Sequence, residues 1–141
     1  DRESVASMVS TITAQLGRID GLVNNAAMFS RVPMSRVGSL DITEAEWYKM
    51  MEINVKGVWN VCSAVVPVMK TQGYGKVVNI SSGTALKGSP SRIHYVTSKE
   101  TGLLINRSPV STSDTRSSKD CLIHLDSFFT AFSSRASPVG S

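Results

Sequence analysis

The sequence lacks the features that define several large classes of protein. It has two cysteines and two histidines in 141 residues, with no CxxC pair and no spacing typical of metal ligands. A metal-binding module and a disulfide framework are therefore both unsupported. The sequence also has no apolar run of membrane-spanning length and no signal peptide. We expect a cytoplasmic protein that does not enter a membrane.

Charge and composition exclude little beyond this. The net charge is +4, from 15 Lys and Arg against 11 Asp and Glu. The basic residues are scattered instead of forming a run or covering one helix, so we expect no nucleic-acid partner. An apolar fraction of 41% is ordinary for a globular protein, and the length suffices for one domain with a core.

Helical and strand-like patterns alternate along the first part of the chain. Residues 2–16 place apolar side chains at helical spacing, and Gly17 is a natural stop. Residues 19–24 and 76–81 each predict a strand, the second of them buried. A helical crossover between parallel strands brings their carboxyl ends to one sheet edge, where open α/β sheets bind ligands. The predicted fold class is therefore α/β with a parallel sheet.

Residues 44–70 predict the helix that connects these strands. Thr43 is the expected N-cap, and Glu46 would complete a capping box. The apolar surface of this helix is wider than one core-facing stripe, so we expect burial on two sides. Pro67 is expected to bend or loosen the last turn.

One tyrosine and one lysine point to a specific chemistry. Tyr95 and Lys99 are four residues apart and share a face of a predicted helix. A lysine ammonium near a phenol stabilises the phenolate form. A serine at the end of the preceding strand, Ser81 or Ser82, could hydrogen-bond the oxygen that gains or loses the proton. This combination predicts carbonyl and alcohol chemistry.

The order and spacing of five features resemble the short-chain dehydrogenase/reductase family. They are Asn24-Asn25-Ala26-Ala27, Asn54-Val55, Ser82, Tyr95 thirteen residues after that serine, and Lys99. The resemblance covers roughly residues 1–106, about the middle of a full-length member. It implies the central strands and helices of a Rossmann-type doubly wound parallel sheet, and an enzyme similar to 3-oxoacyl-carrier-protein reductases or secondary-alcohol dehydrogenases.

The resemblance also implies a role for each of four catalytic residues. Ser82 would polarise the substrate carbonyl, and Tyr95 would transfer the proton. Lys99 would support the Tyr95 phenolate and hold the nicotinamide ribose. Asn54 would maintain a local helix distortion whose backbone carbonyl fixes a water behind Lys99.

NAD or NADP is the implied cofactor, and the implied contacts are Asn24, Ala26, Tyr95 and Lys99. No glycine-rich turn follows a strand to hold a pyrophosphate, and no residue can be assigned to the adenosine ribose. The sequence therefore does not distinguish NAD from NADP. No metal site is predicted.

Simpler structural interpretations remain open at two of these positions, and His94 also has two interpretations. Asn24 could make an ordinary side-chain turn after a strand, and Asn54 could be a polar helix residue bonded to its own turn. His94, next to Tyr95, could line a pocket or be an ordinary residue at a helix start.

The implied partners are a small carbonyl or alcohol substrate and further copies of the chain, associated through helices 44–70 and 95–106. The alternative is a non-catalytic protein derived from this family that acts through helix-mediated association. The resemblance implies that residues 1–106 are the central part of one NAD(P)-binding Rossmann-fold domain.

Residues 107–141 do not continue the resemblance. They are rich in serine and lose the helical period, and Pro109 would break the preceding helix. We expect a poorly ordered tail, produced by a frameshift or missplicing or present as a divergent extension. Because the first residue is Asp1 and not Met, we expect a fragment. Since no glycine-rich turn is present to hold the cofactor pyrophosphate, we expect this fragment to be inactive alone.

Overall fold

The computed structural model describes residues 1–29 and 34–107, with side chains described as far as residue 101. In chain order its elements are helix α1 (Arg2–Leu16), strand β1 (Gly21–Asn24), helix α2 (Glu44–Met51), a π-helical segment (Glu52–Lys56), helix α3 (Gly57–Thr71), strand β2 (Lys76–Asn79), helix α4 (Thr84–Lys87) and helix α5 (Ile93–Arg107). Apart from Arg107, which ends helix α5, the predicted tail over residues 107–141, including Pro109, lies outside the described residues. No helix in the described part is both long and apolar enough to cross a membrane.

Strands β1 and β2 pair in parallel, as predicted, with Gly21 opposite Lys76 and Asn24 opposite Asn79. Both strands are shorter than predicted, although the bond from the Ile80 N–H to the Asn24 carbonyl, 2.9 Å, continues the pairing by one residue. The prediction that the second strand is buried is wrong for the described residues. Its valines are half-buried and Ile80 is 42% exposed.

Helices α1 and α3 pack against one face of this sheet. Val9 of α1 is buried with Val65 and Met69 of α3, and Leu22 and Val77 of the strands pack against them. Val23 is 63% exposed, because successive strand residues point to opposite faces and nothing in the described structure covers the other face at this position.

The predicted helix over residues 44–70 is present but not uniform. The Thr43 hydroxyl accepts a hydrogen bond from the Glu46 N–H, 3.2 Å, as an N-cap should. The reciprocal half of the predicted capping box is wrong, because the Glu46 carboxylate is bound by other residues. At residues 52–56 the helix widens, and the Gly57 N–H bonds to the Glu52 carbonyl five residues back. The helix then continues past Pro67 to Thr71.

A second apolar cluster forms where helix α5 packs on α2 and the π-helical segment. Met28, Met50 and Tyr95 are its buried members, and Met34 and Ile53 pack around them. We call it the methionine cluster. It surrounds the residue that the sequence singles out for proton transfer.

Candidate active site

Asn24 holds the carboxyl ends of the two strands together. Its side-chain N–H donates to the Asn79 side-chain oxygen, 2.7 Å, and lies 3.4 Å from the Cys62 sulfur. Asn25 and Ala26, which follow, are exposed at the same sheet edge. The structure therefore gives Asn24 a cross-strand bond and leaves Ala26 accessible.

The two serines after β2 have different partners. The Ser81 hydroxyl donates to the Lys99 backbone carbonyl, 2.8 Å, and so ties the end of the strand to helix α5. The Ser82 oxygen lies 3.0 Å from the Thr84 hydroxyl and accepts a weaker bond from the Thr84 N–H, 3.3 Å. Ser82 is half-buried. Ser81 is therefore tied to helix α5, whereas Ser82 bonds locally to Thr84, two residues further along the chain.

Tyr95 and Lys99 are both buried on helix α5, each 7% exposed. The Lys99 ammonium lies 5.9 Å from the centre of the Tyr95 ring and donates to the Ile80 carbonyl, 2.9 Å. Burial lowers the pKa of the Lys99 ammonium below its ordinary value of 10.5. Phe29 contacts the Tyr95 ring at a centroid distance of 5.4 Å. The Tyr95 phenol and the Lys99 amine thus lie near each other in a region largely shielded from solvent.

Asn54 lies inside the π-helical segment and is buried, 6% exposed. Its side-chain oxygen accepts from the Met28 N–H, 2.7 Å, and its side-chain N–H donates to the Ser98 hydroxyl, 2.9 Å, and contacts the Met50 sulfur. The Ser98 hydroxyl in turn donates to the Tyr95 carbonyl, 2.8 Å. One amide therefore joins the connection after β1 to the helix that bears Tyr95.

Sequence reasoning missed two features of this region. Ser98 lies one helical turn after Tyr95, a spacing that could have identified it. The other feature is His94, which is fully buried, with its Nε2 3.0 Å from a Glu46 carboxylate oxygen. The interpretation of His94 as an ordinary residue at a helix start does not account for this burial or for the contact with Glu46. No sequence pattern connects it to Glu46, because the two are 48 residues apart.

The same Glu46 oxygen accepts from the Ser35 N–H, 2.5 Å. Desolvation raises the pKa of the Glu46 carboxyl, but the hydrogen bonds from Ser35 and His94 outweigh it and leave that pKa below the ordinary 4.5. Among the described residues, the Ser35 hydroxyl and the His94 Nδ1 are buried without a hydrogen-bond partner.

The described residues fit one end of a nicotinamide cofactor. Lys99 uses one donor on Ile80 and has others that ribose hydroxyls could accept. Asn25 and Ala26, both exposed residues, follow the end of the neighbouring strand. No glycine-rich turn suited to a pyrophosphate occurs between a strand and a helix in the described part. No group of three or more His, Cys, Asp or Glu in that part could hold a metal.

Replacing Lys99 with methionine should stabilise the fold. Because burial holds the folded-state pKa of Lys99 below 10.5, folding is opposed wherever the amine must remain charged, and stability should rise as pH increases toward that value. We expect Lys99→Met to raise the free energy of unfolding at neutral pH and to flatten this rise, because methionine carries no charge to bury. Urea unfolding at neutral and alkaline pH measures both effects.

Lys56→Met is the control for this experiment, because Lys56 forms an exposed ion pair with Glu52. Its effect should be below about 1 kcal/mol. A Lys99→Met protein less stable than wild type at neutral pH would contradict the prediction.

Comparison with known proteins identifies the family. The family model for short chain dehydrogenases matches residues 1–108. The 3-oxoacyl-[acyl-carrier-protein] reductase FabG of Thermotoga maritima is 36% identical over 99 residues, which cover 70% of this chain and 38% of that protein. The 2-(R)-hydroxypropyl-CoM dehydrogenase of Xanthobacter autotrophicus is 38% identical over 109 residues, which cover 77% of this chain and 42% of that protein. The chain thus spans about two fifths of the length of these relatives.

Solved structures agree with this assignment. An NAD+-bound xylitol dehydrogenase superposes with a TM-score of 0.70 at 31% identity, over 75% of this chain and 39% of that one. ElxO with NADP bound superposes with a TM-score of 0.69 at 30% identity, over 74% of this chain and 41% of that one. The predicted fold class, α/β with the central part of a Rossmann-type parallel sheet, is confirmed. From the family match and these similarities together, the chain belongs to the short-chain dehydrogenase family.

Proposed function

We propose that the protein containing this chain is an NAD- or NADP-dependent oxidoreductase that interconverts a carbonyl and a secondary alcohol. The observation that supports this most strongly is the buried contact between Tyr95 and Lys99, fastened to the end of β2 through Ser81. The relatives include a 3-oxoacyl-[acyl-carrier-protein] reductase. We therefore propose 3-oxoacyl thioesters as the first substrate class to test.

In the proposed mechanism Tyr95 is the general acid and base. Its hydroxyl donates a proton to the carbonyl oxygen during reduction and accepts one from the alcohol during oxidation. The Ser82 hydroxyl donates a hydrogen bond to the same oxygen while negative charge develops on it. When bound, the nicotinamide cofactor supplies the hydride for reduction and receives it in oxidation.

Lys99 and Asn54 support the proton transfer. The Lys99 ammonium, buried on the same helix face, stabilises the phenolate that remains after Tyr95 gives up its proton. Asn54 maintains the π-helical segment through its bonds to Met28 and Ser98. We propose that a backbone carbonyl in this segment fixes a water that relays the proton to Tyr95 by way of Lys99.

The proposed cofactor contacts divide into direct and indirect ones. The Lys99 ammonium would hold the nicotinamide ribose beside Tyr95, and the backbone of the exposed residue Ala26 would lie along the cofactor. Asn24 would act indirectly, because its side chain is engaged with Asn79. One similar structure has NAD+ bound and another NADP, so both cofactors belong in the test.

The test is the oxidation of NADH and NADPH by the protein expressed from its complete gene, with acetoacetyl-coenzyme A as substrate. We expect turnover with one of the cofactors. Ser82→Ala should lower kcat by about 10²-fold with little change in cofactor affinity, because one donor to the developing oxyanion is lost. Ser63→Ala, on an exposed position of α3, is the matched control. Absence of wild-type turnover with thioesters and with secondary alcohols would reject the proposal.

The second candidate is a protein that associates through its helices without catalysis. Tyr48 on α2 and Trp59 on α3 are 66% and 51% exposed and line an open groove with Val55. This exposed aromatic surface also supports the proposed homo-oligomer of the enzyme. Titration with NADH and NADPH separates the two candidates, because only the enzyme must bind a cofactor saturably. We propose a cytoplasmic location for either.

A further inference from the structure

Glu46 connects three parts of the chain that are far apart in sequence. The carboxylate belongs to the first turn of α2, and one of its oxygens accepts hydrogen bonds from the Ser35 N–H and from His94. Ser35 belongs to the connection that follows β1, and His94 to the first turn of α5. The Glu46 carboxylate makes these two hydrogen bonds in place of the capping-box bond to the Thr43 N–H.

The link between Glu46 and His94 is buried and has a defined direction. The His94 side chain is fully buried, and that of Glu46 is 18% exposed. Because a carboxylate only accepts, the hydrogen of this bond must lie on the His94 Nε2. His94 Nδ1 has no partner among the described residues. Among the described residues, the His94 ring therefore makes its hydrogen bond to Glu46 through Nε2 alone.

This link lies directly beside the residue proposed for proton transfer. His94 precedes Tyr95 on the same helical turn, and Met34, the neighbour of Ser35, packs in the methionine cluster around the Tyr95 ring. A shift of either Ser35 or His94 would thus change how the connection after β1 packs against Tyr95. Misplacement by about 1 Å can cost about 10²-fold in rate.

We propose that Glu46 and His94 are positioning residues that hold the Tyr95 ring in place against Met34 and the methionine cluster. The inference rests on the proposed function, in which Tyr95 transfers the proton. Neither residue touches the reacting atoms. Their contribution is to hold the first turn of α5 and the connection after β1 in one fixed relation.

Two substitutions of His94 test which nitrogen matters. A glutamine amide places an N–H near the position of Nε2, whereas the shorter asparagine places one near Nδ1. We expect His94→Gln to retain most of the wild-type kcat and His94→Asn to lower kcat by about tenfold. The measurement is NADPH or NADH oxidation with acetoacetyl-coenzyme A, together with the Kd of the cofactor. That Kd should stay unchanged in both variants.

Two substitutions of Glu46 provide a second test that does not depend on His94. Glu46→Gln keeps an acceptor oxygen at the same reach, so kcat should change little. Glu46→Asp is one methylene shorter and cannot reach both donors, so kcat should fall about tenfold. Glu44→Asp is the matched control, because Glu44 lies in the same first turn of α2 and is exposed. If His94→Asn does not fold, the Glu46 pair decides.

The outcomes separate this inference from the proposed function. A loss confined to His94→Asn and Glu46→Asp, with rescue by the two glutamine variants, supports the positioning role. Equal kcat in the Gln and Asn variants of His94, or in the Gln and Asp variants of Glu46, overturns the positioning role. An inactive Tyr95→Phe protein would in that case still support the proposed enzyme. Wild-type turnover in Tyr95→Phe would refute both.

Discussion

Replacing Tyr95 with phenylalanine should abolish turnover without unfolding the protein. The substitution removes one hydroxyl and keeps the ring that packs against Met28, Met50 and Phe29. Because the hydroxyl is the proposed proton donor, we expect kcat to fall by about 10³-fold or more. Steady-state oxidation of NADH or NADPH with acetoacetyl-coenzyme A measures the loss. Cofactor affinity, measured by fluorescence titration, should change little, because Lys99 remains.

Tyr74→Phe is the control for this variant, since Tyr74 is 45% exposed in the turn before β2, away from Tyr95 and from the proposed association surface. It should keep the wild-type rate and melting temperature. Near-normal turnover by Tyr95→Phe would remove Tyr95 from the mechanism. A large loss of cofactor binding would instead mean that the hydroxyl acts mainly in binding.

Replacing Asn54 with alanine should destabilise the protein and lower its activity together. The substitution leaves the Met28 N–H without its acceptor and the Ser98 hydroxyl without its donor, in a place where water is excluded. An unsatisfied buried group costs about 1–3 kcal/mol, so we expect a loss of about 3 kcal/mol in the free energy of unfolding. Urea denaturation followed by fluorescence provides the measurement.

The decrease in kcat should exceed what partial unfolding explains, because Asn54 also holds the segment proposed to bind the relay water. Asn60→Ala is the matched control, since the Asn60 amide accepts a bond from Arg2 on the surface. Its cost should be below about 1 kcal/mol. An Asn54→Ala protein as stable as Asn60→Ala would show that the buried bonds contribute no net stability.

The sequence predicted those parts of the fold that depend on local spacing. Apolar periodicity identified α1 and the long helix between the strands, and the four-residue interval placed Tyr95 and Lys99 on one face of α5. The short helix α4 falls in a segment that was predicted as a loop, so it was missed. Strand ends and burial were predicted less well, because they depend on what covers each face. Ile80 is apolar and yet 42% exposed, which its residue type alone could not indicate.

The candidate site was predicted to the extent that family motifs reach it. The interval to Tyr95 separated Ser82 from Ser81, and the bond from Ser81 to Lys99 gives Ser81 a supporting position. The use of Glu46 could not be predicted. Its sequence position suits a capping box, but competing donors at Ser35 and His94, brought near only by the tertiary fold, occupy its carboxylate.

The π-helical segment has a consequence for the phase of the long helix. A π-helical turn contains one residue more than an α-helical turn. The side chains after it are therefore rotated by about 100° around the helix axis, compared with an unbroken α-helix of the same sequence. In an unbroken α-helix Met50 and Val61 would lie on nearly the same side. In this chain Met50 belongs to the cluster around Tyr95, and Val61 packs with the sheet core. Regular α-helical winding through 52–56 would bring both onto one side, so the π-helical turn lets one continuous helix contribute to two separate cores.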